Sequence, residues 1–271
     1  MAAARPPQDN VQLLPYRLVD DDEFEYFTKT RHGKLVIVNN YIFNGEMPNR
    51  DFSGLDRDAL LQVFGQVGYW SENIKIEENL TAAEMRVLAE QVAHIDYHRR
   101  GSLVFIVLSH GGDGHLFGVD CKSCKFDYLI DPIRESECLK DIPKVFLFQA
   151  CKAPANNIAM TPTRSGDGAR PPQPSHLTTD ALKHGLSSQC ITYPRSDMLI
   201  AYSVLPGTPY GSMFIQAFAE VMRRHGRRHE ATLMLARANR IMWEMFVNRR
   251  PIESWACPVV ISQLGKKFFF A

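Results

Sequence analysis

The stretch Leu103-Val104-Phe105-Ile106-Val107-Leu108-Ser109-His110-Gly111 carries an apolar run straight into a polar triplet, and Val145-Phe146-Leu147-Phe148-Gln149-Ala150-Cys151 repeats the pattern. A short unbroken apolar run bounded by turn-forming residues reads as a strand buried on both faces. Strands of that kind build parallel sheets, whose sites open at the carboxyl ends of the strands. The two stretches therefore predict neighbouring strand ends, one presenting an imidazole and the other a thiol. That pairing is what an imidazole-activated cysteine nucleophile needs, with a carbonyl carbon as its target. Gly111 leaves its backbone N–H accessible in this reading, and with the Cys151 N–H it makes a candidate oxyanion hole.

Outward from this pair, the chain alternates strand and helix signals. The run at 34–39 predicts a buried strand, and Leu60, Leu61, Val63, Phe64 and Val67 give 56–68 a helical period. A short strand follows at 74–76, and Thr81-Ala82-Ala83-Glu84 has the form of a capping box opening a helix that runs to about His98. Residues 117–129 read as a hairpin excursion between the two central strands. A strand at 198–204, helices at 211–224 and 231–248, and a last strand at 258–264 complete the order. Such alternation implies an α/β fold: an open, six-stranded, mostly parallel sheet flanked by helices on both faces. The segment 161–176 is rich in Pro, Gly, Ser and Thr and has no apolar period, so it reads as an exposed linker. The expected organisation is one domain in which a flexible leader (1–30) precedes a large part (31–160), a linker (161–190) and a small part (191–271).

Composition narrows the function classes. Lys and Arg total 31 against 30 Asp and Glu, a formal net charge of +1, so no global field draws the chain to nucleic acid or to a membrane surface. No apolar stretch approaches the roughly 20 residues of a membrane span, and Met1-Ala2-Ala3-Ala4-Arg5 lacks a secretory signal's apolar segment. The expected location is cytoplasmic, where the six cysteines stay as thiols. Cys121 and Cys124 have Cys-x-x-Cys spacing without a second ligand pair, which reads as a hairpin turn; neither a metal nor a cofactor is expected. The basic run Arg223-Arg224-His225-Gly226-Arg227-Arg228 reads as a solvated turn between helices, and the run Asp20-Asp21-Asp22-Glu23 as part of the leader.

Ser109-His110-Gly111, followed by Gln149-Ala150-Cys151, resembles the caspase family, whose local signature is built around Gln-Ala-Cys. The likeness runs from about Lys34 to the C-terminus. It includes Asn39-Asn40, Ala201-Tyr202-Ser203, Pro206-Gly207, Gly211-Ser212-Met213-Phe214-Ile215-Gln216, and Pro258-Val259-Val260-Ile261-Ser262 ahead of Phe268-Phe269-Phe270. The resemblance implies a short-leader cysteine peptidase homologue of cell-death signalling, acting on protein substrates and cut in its linker into large and small subunits. It also implies a homodimer, or a heterodimer with another caspase, through the last strand. His110 is then the general base and acid, Cys151 the nucleophile, and Gly111 with Cys151 the oxyanion donors. Arg50 matches the arginine that pairs with the substrate aspartate, and Gln149 gives a second polar contact to the same carboxylate. Asp167 and Asp180 are the candidate processing sites, the latter followed by small Ala181.

Three departures bear on activity. Ala153 replaces a glycine two places after the nucleophile, and Phe52 stands where the family usually has glycine. The largest lies between Gly207 and Gly211. Active relatives carry a Ser-Trp-Arg stretch here that pairs with substrate backbone and supplies a second carboxylate-binding arginine, whereas this chain has only Thr208-Pro209-Tyr210. Two functions therefore stand side by side: a regulatory pseudoprotease that pairs with an active caspase, and an active endopeptidase cleaving after aspartate.

Overall fold

The computed structural model describes residues 25–26, 33–45, 47–98, 100–112, 114–152, 196–205, 207–247 and 258–270. Its strands are β1 (Lys34–Asn39), β2 (Ile74–Glu78), β3 (Leu103–Gly112), β4 (His115–Phe117), β5 (Ser123–Lys125), β6 (Lys144–Lys152), β7 (Met198–Ser203), β8 (Gly207–Thr208), β9 (Gly211–Ser212) and β10 (Val259–Ser262). Its helices are α1 (Ser53–Gln66), α2 (Ala82–Ala93), α3 (Phe126–Arg134), α4 (Met213–His225) and α5 (Ala231–Val247). The main sheet has the order β10-β7-β6-β3-β1-β2; the five strands from β7 to β2 are parallel and β10 runs antiparallel to β7. This is the expected open, mostly parallel sheet of six strands, with the β4–β5 hairpin off its path.

The connections explain the layers. The chain steps from β1 through α1 outward to β2, then back through α2 past β1 to β3. Crossovers of one hand that step in opposite directions put their helices on opposite faces. Accordingly α1, α4 and α5 share one core, with Leu60, Phe64, Phe214, Phe218 and Met234 packed against Phe268 and Phe270. On the other face α2 and α3 bury Met85, Leu88, Val92, Phe126 and Ile130. The central runs at 103–108 and 145–148 are wholly buried, each large side chain contributing about 1.5–3 kcal/mol. The step reversal also creates a switch point between β1 and β3, and a crevice forms outside the carboxyl ends of such strands.

Several boundaries differ from expectation. The capping box at Thr81 and Glu84 is present, but α2 stops at Ala93, short of His98. Beyond it the Asp96 carboxylate accepts from the His98 N–H at 2.8 Å, a local bond that favours a turn over another helical turn. The region 117–129 is only partly hairpin: after β5 the chain enters α3, whose Phe126, Leu129, Ile130 and Ile133 are buried. β3 and β6 both extend several residues past their apolar runs. The linker lies outside the described residues, as does most of the leader. Glu25 and Tyr26 are seated, however, with the Tyr26 N–H donating to the Lys267 carbonyl at 3.0 Å and the Tyr26 hydroxyl to the Asp197 carboxylate.

Candidate active site

His110 sits near the carboxyl end of β3, beside the switch point, and is almost fully buried. Its Nε2 lies 2.8 Å from the Pro48 carbonyl, in the loop that leaves β1. A carbonyl only accepts, so Nε2 carries the proton and Nδ1 is the basic nitrogen of the neutral ring. The Phe43 ring packs at 4.7 Å, tilted 49°, fixing the imidazole from the side. The loop itself is pinned by side chains: Asn79 Oδ1 accepts from the N–H groups of Tyr41 and Ile42, and Asn49 Oδ1 from that of Phe43. Asn40 ties the same region to Leu80 and Phe117.

Cys151 is opposite His110 in the β3–β6 ladder, with Gly111 opposite Lys152. The two backbones are therefore one strand spacing apart, about 4.8 Å. Side-chain placement of Cys151 falls outside the described residues. The ladder also fixes where the backbone donors go. Odd-numbered residues of β3 turn toward β6, as the bond from Leu103 N–H to the Pro143 carbonyl shows, while the Leu108 carbonyl accepts from Asn40 on the β1 side. In this register the Gly111 N–H faces the Cys151 carbonyl and the Cys151 N–H faces the Ser109 carbonyl. Both candidate oxyanion donors are directed into the ladder in this conformation. Gly111 has no room for a side chain: a Cβ there would lie 2.5 Å from the Ala150 Cβ and 2.7 Å from the His115 carbonyl oxygen. Tyr202 closes the far side, its hydroxyl donating to the Gly112 carbonyl at 2.8 Å.

Arg50 is half-buried at the start of the turn into α1, where its Nη1 donates to the Asn40 carbonyl at 2.9 Å and to Ser53 Oγ at 2.7 Å. These bonds hold the guanidinium beside the loop that carries Pro48. Gln149 is fully buried in β6, opposite Leu108 on one side and Ser203 on the other. Its Nε2 donates to the Leu205 carbonyl at 2.7 Å, so the amide is oriented toward the segment leaving β7.

From that segment the chain forms the β8–β9 hairpin, with Gly207 opposite Ser212 and Thr208 opposite Gly211. Only Pro209 and Tyr210 make the turn. Thr208 Oγ1 donates to the Gly211 carbonyl at 2.9 Å and accepts from the Tyr210 N–H at 3.1 Å, leaving the Tyr210 side chain 82% exposed. Gly211 has φ of +99°, a backbone state that favours glycine. Asp56 on α1 receives this hairpin through its carboxylate. Burial pushes its pKa up, against the bonds from Ser212 and Gln216 and the charge of Arg50.

The structure thus gathers His110, the Cys151 backbone, Gly111, Arg50 and Gln149 at one end of the sheet. Asp167 and Asp180 lie outside the described residues. Sequence reasoning missed the Pro48 carbonyl, a main-chain group that no side-chain motif marks, and Ser53 and Asp56, which in sequence look like an ordinary helix start. Among the described residues there is no cluster of three metal-ligating side chains and no helix long and apolar enough to cross a membrane. Cys124 is buried on β5, and burial pushes its thiol up to about 11.

An open α/β sheet that sets a histidine and a cysteine at paired positions of adjacent strands near its carboxyl end has the layout of the α/β cysteine peptidase class. Within that class the chain belongs to the caspase family, for the caspase domain model matches residues 32–269. It is 29% identical to caspase-3 of Bos taurus over 252 residues, 88% of this chain and 84% of that one. It is 28% identical to caspase-7 of Gallus gallus, over 94% of this chain and 82% of the relative. The fold matches the solved structure of pro-sf-caspase-1 with a TM-score of 0.72 at 23% identity, covering 95% of this chain and 98% of that one.

Proposed function

We propose that this caspase-family cysteine peptidase homologue acts chiefly as a regulatory partner of an active caspase, with its own proteolysis impaired. The observation that carries this reading is the short hairpin: Pro209 and Tyr210 alone join β8 to β9. No arginine stands there to meet a substrate carboxylate alongside Arg50, and Pro209 has no N–H to pair with substrate backbone. A charge-assisted contact contributes roughly 1.5–3 kcal/mol, so its loss alone lowers catalytic efficiency about tenfold to a hundredfold. Lost backbone pairing adds to that.

The sheet edge supports the partner half of the reading. Among the described residues β10 pairs with β7 only, and its Val259, Val260 and Ile261 are half-buried. An unpaired apolar edge strand is a template for another chain. A second copy, or an active caspase, adds there.

One arrangement favours a second reading, an active endopeptidase cleaving cytoplasmic proteins after aspartate: His110 stands opposite Cys151, with Arg50 and Gln149 at the same sheet end. The Cys151 thiol would give its proton to His110 Nδ1 as the sulfur attacks the scissile carbonyl carbon. The C–N bond then breaks as Nδ1 passes that proton to the leaving amine; Nδ1 next takes a proton from the water that attacks the thioester, and returns it to the departing Cys151 sulfur as the carboxylic acid leaves. In either reading Arg50 and Gln149 are the carboxylate-binding residues, Gly111 and Cys151 the oxyanion donors, and Asp167 or Asp180 the processing site.

Fluorogenic tetrapeptides ending in aspartate separate the two. The purified chain, intact and cut in its linker, is expected to turn them over at least ~100-fold more slowly than an ordinary caspase. Comparable turnover abolished by Cys151→Ala overturns the regulatory reading.

A further inference from the structure

The first turn of α1 buries two polar side chains whose work lies outside the proposed chemical steps. Ser53 and Asp56 are 3% and 0% exposed, and at a spacing of three residues they share one helix face. Ser53 Oγ accepts from Arg50 Nη1 at 2.7 Å and donates to Asn39 Oδ1. Asp56 reaches the other way, across to the small part. Its two oxygens share the Ser212 N–H at 2.8 and 3.0 Å, and Oδ1 also accepts from Gln216 Nε2 at 2.9 Å. The carboxylate is seated against the backbone of β9 so closely that a Cβ on Gly211 would lie 2.5 Å from Oδ1 and 2.6 Å from Gln216 Nε2.

We propose that Ser53 and Asp56 are positioning residues that act as a bracket across the two parts of the chain: Ser53 orients the Arg50 guanidinium, and Asp56 holds the Gly207–Ser212 hairpin. One helical turn then sets the separation between the anion-binding cation and the hairpin. The functional meaning rests on the reading of Arg50 as the aspartate-binding group. Such an arrangement matters more in this chain than the hairpin's length suggests. A two-residue turn has few contacts of its own, and the exposed Tyr210 adds none to the core. A buried carboxylate is costly unless fully hydrogen-bonded; here the bonds it accepts are those that locate β9. A structural apolar contact would fix α4 against α1 without coupling the hairpin to Arg50.

The charged group acting on Asp56 is Arg50, from the loop before α1; β9 and α4 present the neutral Ser212 and Gln216, and Arg57 and Asp58 follow on its own helix. Nuclear magnetic resonance on labelled chain carrying Cys151→Ala tests the bracket by two signals, hydrogen exchange of the Ser212 N–H and the resonance of the Arg50 guanidinium. In the parent chain both are expected to titrate together, with a midpoint raised from the ordinary aspartate value by burial of the carboxylate. In Asp56→Asn the titration is expected to vanish, Ser212 exchange to accelerate at least ~10-fold, and the Arg50 resonance to lose the effect of the Asp56 charge. Ser53→Ala is expected to shift Arg50 and leave Ser212 protected. Unchanged Ser212 exchange in Asp56→Asn, or an Arg50 signal indifferent to Asp56 titration, overturns the bracket. Should Asp56→Asn fail to fold, the titration of the parent chain alone decides. Fluorescence polarisation with a labelled tetrapeptide ending in aspartate keeps the two readings apart. Binding that Arg50→Ala leaves unchanged counts against Arg50 as the carboxylate site, while the exchange data still judge the bracket.

Discussion

Replacing Lys144 by methionine tests the electrostatics at the floor of the sheet. Lys144 opens β6 and is 3% exposed. Its Nζ donates to the Leu139 carbonyl at 2.9 Å and to the Ile142 carbonyl at 2.7 Å, while its N–H donates to the Asp197 carbonyl. Burial lowers its pKa from the ordinary 10.5 to about 8, against the pull of Asp197 and Asp141. The folded chain gives up this proton near pH 8 and the unfolded chain keeps it to 10.5. Between those limits the unfolded state binds more protons, so stability rises with pH. The whole gap corresponds to about 3 kcal/mol, of which about 1 kcal/mol develops from pH 7 to pH 9. Above that the sign reverses. The Cys124 thiol stays protonated in the fold to about 11, and burial raises the Tyr26, Tyr69 and Tyr97 phenols as well. Urea unfolding of the parent chain and Lys144→Met at pH 7 and pH 9 isolates the amine, because the acids cancel in the comparison. The parent is expected to gain about 1 kcal/mol more than the variant over that interval. Equal pH responses in the two proteins refute the reasoning.

Two further substitutions probe contacts between distant segments. Gly211→Ala places a methyl 2.5 Å from Asp56 Oδ1 at a φ of +99°, and is expected to cost about 1–3 kcal/mol in chemical unfolding. Gly207→Ala, with open space around it, is the control and is expected to be near neutral; equal effects at both positions exclude the clash as the cause. Tyr26→Phe removes the hydroxyl that donates to Asp197 and accepts from the Gly265 N–H at 3.0 Å. The loss is expected to be about 1–3 kcal/mol, because Asp197 is left buried with fewer donors. An unchanged urea midpoint would show that the Tyr26 hydroxyl contacts add nothing to the fold.

The sheet was legible because its strands are buried on both faces and therefore read as continuous apolar runs. Where the strands continue past those runs, the signal stops. Ser109, His110, Gly111, Gln149 and Ala150 look like loop residues, yet they pair as β-sheet: the loop from β1 covers His110, the segment leaving β7 meets Gln149, β4 meets Ser109 and Gly111, and Ala150 packs in the core of α2 and α3. The helix α3 was hidden by Pro132 in its last turn and by its position straight after a short strand. Its apolar positions, Phe126, Leu129, Ile130 and Ile133, do carry the helical period. At the site, motifs identified side chains with chemistry of their own. The Pro48 carbonyl and the ladder bonds are main-chain facts, and the Asp56–Ser212 contact joins residues 156 apart, so no local pattern announces them.

On the proposed reading two features oppose catalysis, and they differ in kind. Freeing the Gly111 and Cys151 N–H groups from the ladder gives up two backbone hydrogen bonds, each contributing about 1 kcal/mol net. A bound oxyanion accepts from the same two donors, so much of that cost is offset in the transition state, where such bonds are stronger. On that reading the ladder makes the site latent without disabling it. The hairpin presents no such compensation. Pro209 has no N–H in any conformation, and no rearrangement of two turn residues supplies an arginine. The thiol and imidazole can retain their chemistry while a peptide lacks the contacts that hold its carbonyl in a near-attack geometry. On the proposed reading, then, the substrate arm limits proteolysis more than the His110–Cys151 pair does, while among the described residues the β10 edge pairs with β7 only.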